Sequence, residues 1–146
     1  MAFRKTPALR LALRLSGVFA AGAAMLAVAA PAQAQALRKV YVRNACKRPV
    51  QLLVDSADAY HSWHPHAWYR FAPAQESYLN DPQGRPLRQL EDHELYAYIE
   101  TTDAAEPLRW QGGGPEVTWE GAAFRTVRLN SRIDADGDML VRITCD

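Results

Sequence analysis

Apolar residues recur at every second position in several segments of this chain, and this alternation restricts its possible folds more than any other feature. Val40 and Val42 flank Tyr41 in an early segment, and Val141 and Ile143 occur two positions apart in a late one. Successive side chains of a β-strand point to opposite faces of a sheet, so this spacing gives each strand one buried face. The period of 3.6 residues that an amphipathic helix requires does not recur. The pattern therefore predicts an all-β fold.

Turn-forming residues separate the alternating segments and set the number of strands. Clusters of Gly, Pro, Asn and Asp occupy residues 80–86, 112–115 and 134–138. We expect residues 39–43 and 50–54 to form the first two strands, paired as a hairpin. The whole pattern predicts a small antiparallel β-sandwich, or a partly open barrel, of about seven to nine short strands.

The first 35 residues differ in composition from the rest and predict a secretory signal peptide. The part before residue 15 carries four basic residues and no acid, and residues 15–30 are almost wholly apolar or small. This apolar run is shorter than the roughly 20 residues that a membrane-spanning helix usually needs. Small-x-small sites that follow a proline predict cleavage after Ala34 or Ala36. We therefore expect residues 1–35 to be removed during export.

Removal of the signal peptide changes the charge balance of the chain. The full sequence has 17 Lys and Arg against 16 Asp and Glu, and four of the basic residues precede residue 36. The mature part is therefore slightly acidic, which argues against a nucleic-acid partner, because such a partner requires a basic surface. Its length suits a single domain, residues 36–146. Because the signal peptide predicts export, we expect this domain to be periplasmic or secreted and to have no stable membrane span.

The chain contains two cysteines, Cys46 and Cys145, which lie near the two ends of the mature part. An exported protein meets oxidising conditions, so we expect these cysteines to form one disulfide. In the chain-entropy model, a bridge that closes a loop of about 100 residues contributes roughly 4 to 5 kcal/mol. This is a large share of the stability of a small domain. Two separately buried thiols or an intermolecular bridge are the alternatives.

Histidines are concentrated in one segment, where His61, His64 and His66 follow the spacing His-x-x-His-x-His. Imidazole is a good ligand for Cu(II) or Zn(II), and His93 or an acid could complete such a site. One functional hypothesis is therefore a periplasmic Cu- or Zn-binding protein, and no other cofactor is expected. The alternative is an exposed polar loop that its neighbouring tryptophans pin to the core.

Aromatic residues suggest a second functional hypothesis. Trp and Tyr combine an apolar ring with a polar group and are enriched where proteins meet ligands. Tyr41, Tyr96 and Tyr98 could share one sheet face, and the alternative is that the large rings fill a small core. We expect a non-enzymatic domain that binds an unknown protein or a cell-envelope glycan through an aromatic rim. The candidate binding residues are Trp63, Trp68, Tyr69, Tyr96 and Tyr98.

Motifs for catalysis or for common ligands are weak in this sequence. Ser62 follows His61 in sequence, which is not the spatial arrangement of a catalytic triad, and no Gly-x-Ser-x-Gly turn is present. The acidic turn at residues 134–138 lacks the glycine position and the final Glu of a calcium-binding loop. Residues 91–94 form a charged run that we expect to be solvated. We therefore assign no catalytic residue.

Several short motifs rich in aromatic residues follow one another between residues 44 and 112. They are Asn44 and Cys46, residues 50–54, Trp63, Trp68 and Tyr69, Pro73, residues 96–98 and residues 110–112. With these motifs, residues 44–112 resemble a bacterial family known only as domain of unknown function 1036. The resemblance implies an exported β-domain without a known activity, and it gives the histidines no role. The sequence departs from the family pattern at Ala67, which replaces a glycine, and at Ala74, and it lacks the additional cysteines of the family.

Overall fold

The computed structural model describes residues 36–103 and 106–145, and these residues confirm the all-β fold. No helix in this part is long and apolar enough to cross a membrane. The predicted signal peptide, residues 1–35, lies outside the described residues. The strands are β1 (Leu37–Asn44), β2 (Val50–Ala57), β3 (Trp63–Phe71), β4 (Glu76–Tyr78), β5 (Arg88–Leu90), β6 (Tyr96–Thr101), β7 (Glu116–Trp119), β8 (Ala122–Arg125), β9 (Val127–Arg128), β10 (Ser131–Ile133) and β11 (Met139–Ile143).

Two separate sheets carry most of these strands. The first has the order β10-β11-β1-β4, and β5 pairs with β1 beside β4. The second has the order β3-β2-β6-β9, and β7 and β8 form a two-stranded ribbon. Separate sheets make the fold a sandwich rather than the partly open barrel that the sequence also allowed. The strands exceed the predicted number because β4, β5, β9 and β10 are only two or three residues long.

The hydrophobic core is made by the facing sides of the two sheets. The alternation in the sequence is the reason, because every second residue of β1, β2, β6 and β11 points inward. Burial of these aliphatic side chains is the main stabilising contribution available to a domain of this size. From the first sheet the core takes Val40, Val42, Met139, Val141 and Ile143, and from the second it takes Val50, Leu52, Val54, Phe71, Ala97 and Ile99.

The sandwich is mixed rather than purely antiparallel, because β1 and β11 run parallel. Their register places Asn44 opposite Ile143, so Cys46 and Cys145 each lie two residues beyond a paired position. The predicted disulfide between them is confirmed, with their Cα atoms 5.2 Å apart. Parallel pairing is therefore what brings two cysteines 99 positions apart in sequence to the same end of the sheet.

The predicted hairpin between β1 and β2 is wrong, because these strands lie in different sheets. The connection crosses from one sheet to the other and is held by the buried side chain of Asn44. Its Nδ2 donates to the carbonyl oxygens of Arg48 (2.9 Å), Ala72 (3.0 Å) and Phe71 (3.3 Å). Its Oδ1 accepts from the backbone N–H of Cys46 at 3.0 Å. A period-two pattern predicts strands but not their partners, and the contacts of Asn44 that stabilise this crossing are not visible in that pattern.

Candidate functional site

The loop between β2 and β3 is organised by the carboxylate of Asp58. Its Oδ1 accepts hydrogen bonds from the backbone N–H groups of Ser62 (3.1 Å) and Tyr60 (2.8 Å). These bonds favour the ionised form, so they hold the pKa of Asp58 below its ordinary value. Its Oδ2 lies 3.1 Å from Nε2 of His64. The loop therefore reaches the start of β3 in a defined conformation, which positions Trp63.

Trp63 remains 39% exposed although it is a large apolar residue. Its ring centroid lies 5.5 Å from that of Tyr96 and 6.2 Å from that of His93. Tyr96 lies on the outer face of the second sheet, the face that points away from the core, because its neighbours in sequence, Leu95 and Ala97, point into the core. The three rings form a continuous aromatic surface beside the loop.

His61 and His93 meet at the edge of this surface. Nδ1 of His61 lies 2.9 Å from Nε2 of His93, and Nδ1 of His93 lies 2.9 Å from Oδ1 of Asp92. The hydrogen bond with His93 lowers the pKa of Asp92, so the carboxylate is an acceptor near neutral pH. Each imidazole nitrogen can take part in a hydrogen bond, so the His93 ring bridges His61 and Asp92. This chain of hydrogen bonds ties the β2–β3 loop to the turn before β6.

A polar groove of about 320 Å³ lies next to the rings. Glu94 accepts hydrogen bonds from the hydroxyl of Tyr96 and from Nη1 of Arg128, the latter at 2.6 Å. These two bonds lower the pKa of Glu94, which is therefore ionised near neutral pH. Trp63 and Tyr96 do not line this groove but adjoin it, since the Trp63 ring lies next to His93 and the Tyr96 hydroxyl donates to Glu94. The groove itself is lined by residues 91–94 and 128–131, and we call the groove together with the two adjoining rings the Trp63 groove.

Trp68 and Tyr98 lie further along the same outer face and have a packing role. With Phe124 of β8 they form three edge-to-face pairs, with ring centroids 5.1 to 6.0 Å apart. Tyr98 lies opposite Leu53 of β2 in the strand register. The neighbours of Leu53 in β2 point into the main core, so Leu53 points to the outer face, where it is nevertheless fully buried. These rings join the β7–β8 ribbon to the sheet, so only part of the predicted aromatic rim is open.

Two other tyrosines lie away from the groove. Tyr69 packs against the main core, opposite Leu52 in the strand register, and its burial raises the pKa of its hydroxyl to about 12. Tyr41 belongs to the first sheet, where its ring packs on Tyr78 at 5.0 Å. The expectation that Tyr41 shares a face with Tyr96 and Tyr98 is therefore wrong, because alternation within strands carries no information about which sheet a strand joins.

The three clustered histidines have separate partners. His61 contacts His93, His64 contacts Asp58, and His66 is half-buried in β3 opposite Val54. Burial and the nearby His64 lower the pKa of His66. Among the described residues, no group of three or more His, Cys, Asp or Glu side chains is placed to hold a metal ion.

Sequence reasoning missed the polar half of the groove. Residues 91–94 were expected to be a solvated charged run, and Glu91, Asp92 and Glu94 are exposed as expected. What the sequence did not show is that this segment lines a groove together with Arg128. The available signal was His93, the fourth histidine, which lies between two acids in this run. Its proximity to the β2–β3 loop depends on the packing of distant segments and is not visible in the sequence.

Comparisons of the chain with protein-family models, with curated protein sequences and with solved structures gave no match. The resemblance of residues 44–112 to domain of unknown function 1036 stays a prediction. The chemistry of the Trp63 groove is therefore the main indication of function.

Proposed function

We propose that this chain is an exported, non-enzymatic binding domain that holds a glycan of the bacterial cell envelope in the Trp63 groove. The proposal of export is supported by the predicted signal peptide at residues 1–35 and by the disulfide between Cys46 and Cys145, since disulfides persist in oxidising compartments. The periplasm and the extracellular space both satisfy this condition. The resemblance to domain of unknown function 1036 also implies export.

One observation carries the proposal of glycan binding: an exposed Trp63 ring lies beside Tyr96, directly next to a groove whose polar groups are already oriented. A sugar ring has an apolar face of C–H groups and a rim of hydroxyls. The apolar face suits the aromatic surface, whereas the hydroxyls suit carboxylate acceptors such as Glu94 and donors such as Arg128. The hydrogen bond between Glu94 and Arg128 holds both groups in place before a ligand arrives.

The charge of the groove narrows the ligand class to uncharged glycans. Glu91, Asp92 and Glu94 contribute three carboxylates, whereas Arg128 is the one arginine that lines this groove. Arg38 contacts Glu91 at 2.7 Å and offsets part of this charge. A polymer of anionic sugars would meet net repulsion here.

Binding is favoured over catalysis by what surrounds the two histidines. His93 contacts both His61 and Asp92, and the Trp63 ring lies beside His93, so these side chains form a structural link next to the aromatic surface. These hydrogen bonds join the β2–β3 loop to the turn before β6, beside Trp63. We therefore assign this link the role of fixing the aromatic surface.

The test is binding of the purified protein to cell-envelope polysaccharide fractions, measured by co-sedimentation and by calorimetry with soluble fragments. We expect Trp63→Ala to weaken binding about tenfold or more, which corresponds to about 1.4 kcal/mol or more of lost stacking. Trp119→Ala is the matched control, since Trp119 lies in the β7–β8 ribbon and not in the groove. Binding that survives Trp63→Ala unchanged, or that a chelator abolishes, would contradict the proposal.

A further inference from the structure

A second cavity lies on the outer face of the second sheet, separate from the Trp63 groove. It has a volume of about 550 Å³, within the rough range of 300 to 1,000 Å³ that is typical of small-molecule sites. We call it the arginine cavity, and its walls are formed by Tyr98, Arg109, Trp110, Gln111, Gly112 and Arg125. The two features share no lining residue.

The aromatic wall of this cavity is fixed by backbone contacts. The backbone N–H of Trp110 donates to the carbonyl oxygen of Ile99 at 3.2 Å, and its indole Nε1 donates to the carbonyl oxygen of Thr144 at 3.0 Å. Gly112 packs so closely on β9 that an added Cβ would lie 3.0 Å from Cγ1 of Val127. The Trp110 ring is therefore held in position without a ligand, which lowers the entropic cost of binding.

Two arginines line the cavity, and each contacts a glutamate that does not line it. Nε of Arg109 donates to Glu100 at 3.1 Å, and Glu100 also accepts hydrogen bonds from Gln51 and from Tyr98. A guanidinium has five N–H donors, so these contacts leave Arg109 with further hydrogen-bonding capacity. Nη2 of Arg125 lies 3.8 Å from Glu116, and its side chain is 68% exposed. Such a long, exposed ion pair contributes little and can rearrange around a ligand.

We propose that the arginine cavity is a second binding site, which takes an aromatic carboxylate of one or two rings. The ring lies against Trp110 and Tyr98, and the carboxylate accepts hydrogen bonds from Arg109 and Arg125. Among the described residues, no acidic side chain lines this cavity, in contrast to the three that line the Trp63 groove. The different linings of the two sites, arginines here and carboxylates there, indicate two different ligands, so this site does not depend on glycan binding.

The test uses naphthoate as the probe and its neutral amide as the matched control ligand, titrated into the full protein by calorimetry. We expect naphthoate to bind at least tenfold more tightly than the amide. Arg125→Gln should remove most of this difference without unfolding the domain, because the side chain is exposed. Arg109→Gln should do the same if the variant folds, which circular dichroism checks. Arg132→Gln removes an equal charge from β10 and should leave the affinity unchanged.

Three results would overturn the inference. These are absence of naphthoate binding at millimolar concentration, equal binding of the acid and the amide, and an unchanged preference in Arg125→Gln. None of them affects the proposed function, because that proposal is tested by Trp63→Ala with glycans. Conversely, Trp63→Ala should leave naphthoate binding intact, so failure of one proposal is distinguishable from failure of the other.

Discussion

Asn44 holds the crossing between the two sheets, so its replacement by alanine should destabilise the domain strongly. The side chain is fully buried and serves four backbone groups. Asn44→Ala removes the side-chain partner of the N–H of Cys46 and of the carbonyl oxygen of Phe71, and both of these hydrogen bonds are buried. Each unsatisfied buried group costs about 1 to 3 kcal/mol, so we expect a total loss of about 3 kcal/mol or more. That is a large part of the roughly 5 to 15 kcal/mol that stabilise a typical domain.

Urea unfolding followed by tryptophan fluorescence measures this loss. With a slope of about 1.5 kcal/mol per molar urea, which is typical of a domain of this size, the midpoint should fall by about 2 M. Asn44→Asp should be at least as damaging at neutral pH, because it removes the donors and places a carboxylate against carbonyl oxygens. The control is Asn130→Ala, which changes an exposed asparagine. An Asn44→Ala midpoint within about 0.3 M of the wild type would refute this account of the crossing.

Three further predictions concern stability. Gly114→Ala should lower the free energy of unfolding by about 1 to 3 kcal/mol, since an added Cβ would lie 2.6 Å from the carbonyl oxygen of Thr126. Gly113→Ala is the control in the same urea assay and should be nearly neutral, because nothing lies within 4 Å of an added Cβ there. The hydrogen bond with Asp138 raises the pKa of Tyr78 from 10.0 to about 12. The contribution of this bond to the free energy of unfolding is therefore complete below pH 10 and is lost as the pH rises to 12. Between pH 10 and pH 12, the urea midpoint of Tyr78→Phe should therefore fall less than that of the wild type. An equally large fall in both proteins would contradict a stabilising role of this hydrogen bond. The disulfide joins residues 99 positions apart, so in the chain-entropy model its reduction should lower the free energy of unfolding by roughly 4 to 5 kcal/mol. A reduced protein as stable as the oxidised one would contradict this prediction.

The fold class could be predicted because local alternation indicates strands, and the disulfide could be predicted because the chain has two cysteines and export predicts their oxidation. Alternation at Val40 and Val42, or at Val141 and Ile143, fixes which residues face the core, and the structure confirms it. The partners of each strand could not be predicted, because alternation is the same for a parallel and an antiparallel neighbour. The parallel pairing of β1 with β11 joins segments from the two ends of the described chain, so neither segment alone reveals it.

The candidate site was predictable only in part, for a related reason. Trp63 and Tyr96 were identified by residue type, and the structure brings their rings together. The carboxylates and the arginine of the groove belong to a turn and to β9, and their approach to Trp63 depends on tertiary packing. Asn44 stood out in the sequence only as part of an Asn-x-Cys pattern, although the contacts of its buried amide stabilise the crossing between the two sheets.

The most direct test of the central claim is an NMR titration of the four tryptophan indole N–H signals with a soluble, uncharged envelope glycan fragment. Single Trp→Phe variants assign the signals. The glycan should shift the Trp63 signal and leave Trp119 unchanged. A glycan that binds while the Trp63 signal stays in place would contradict the assignment of the Trp63 groove as its binding site.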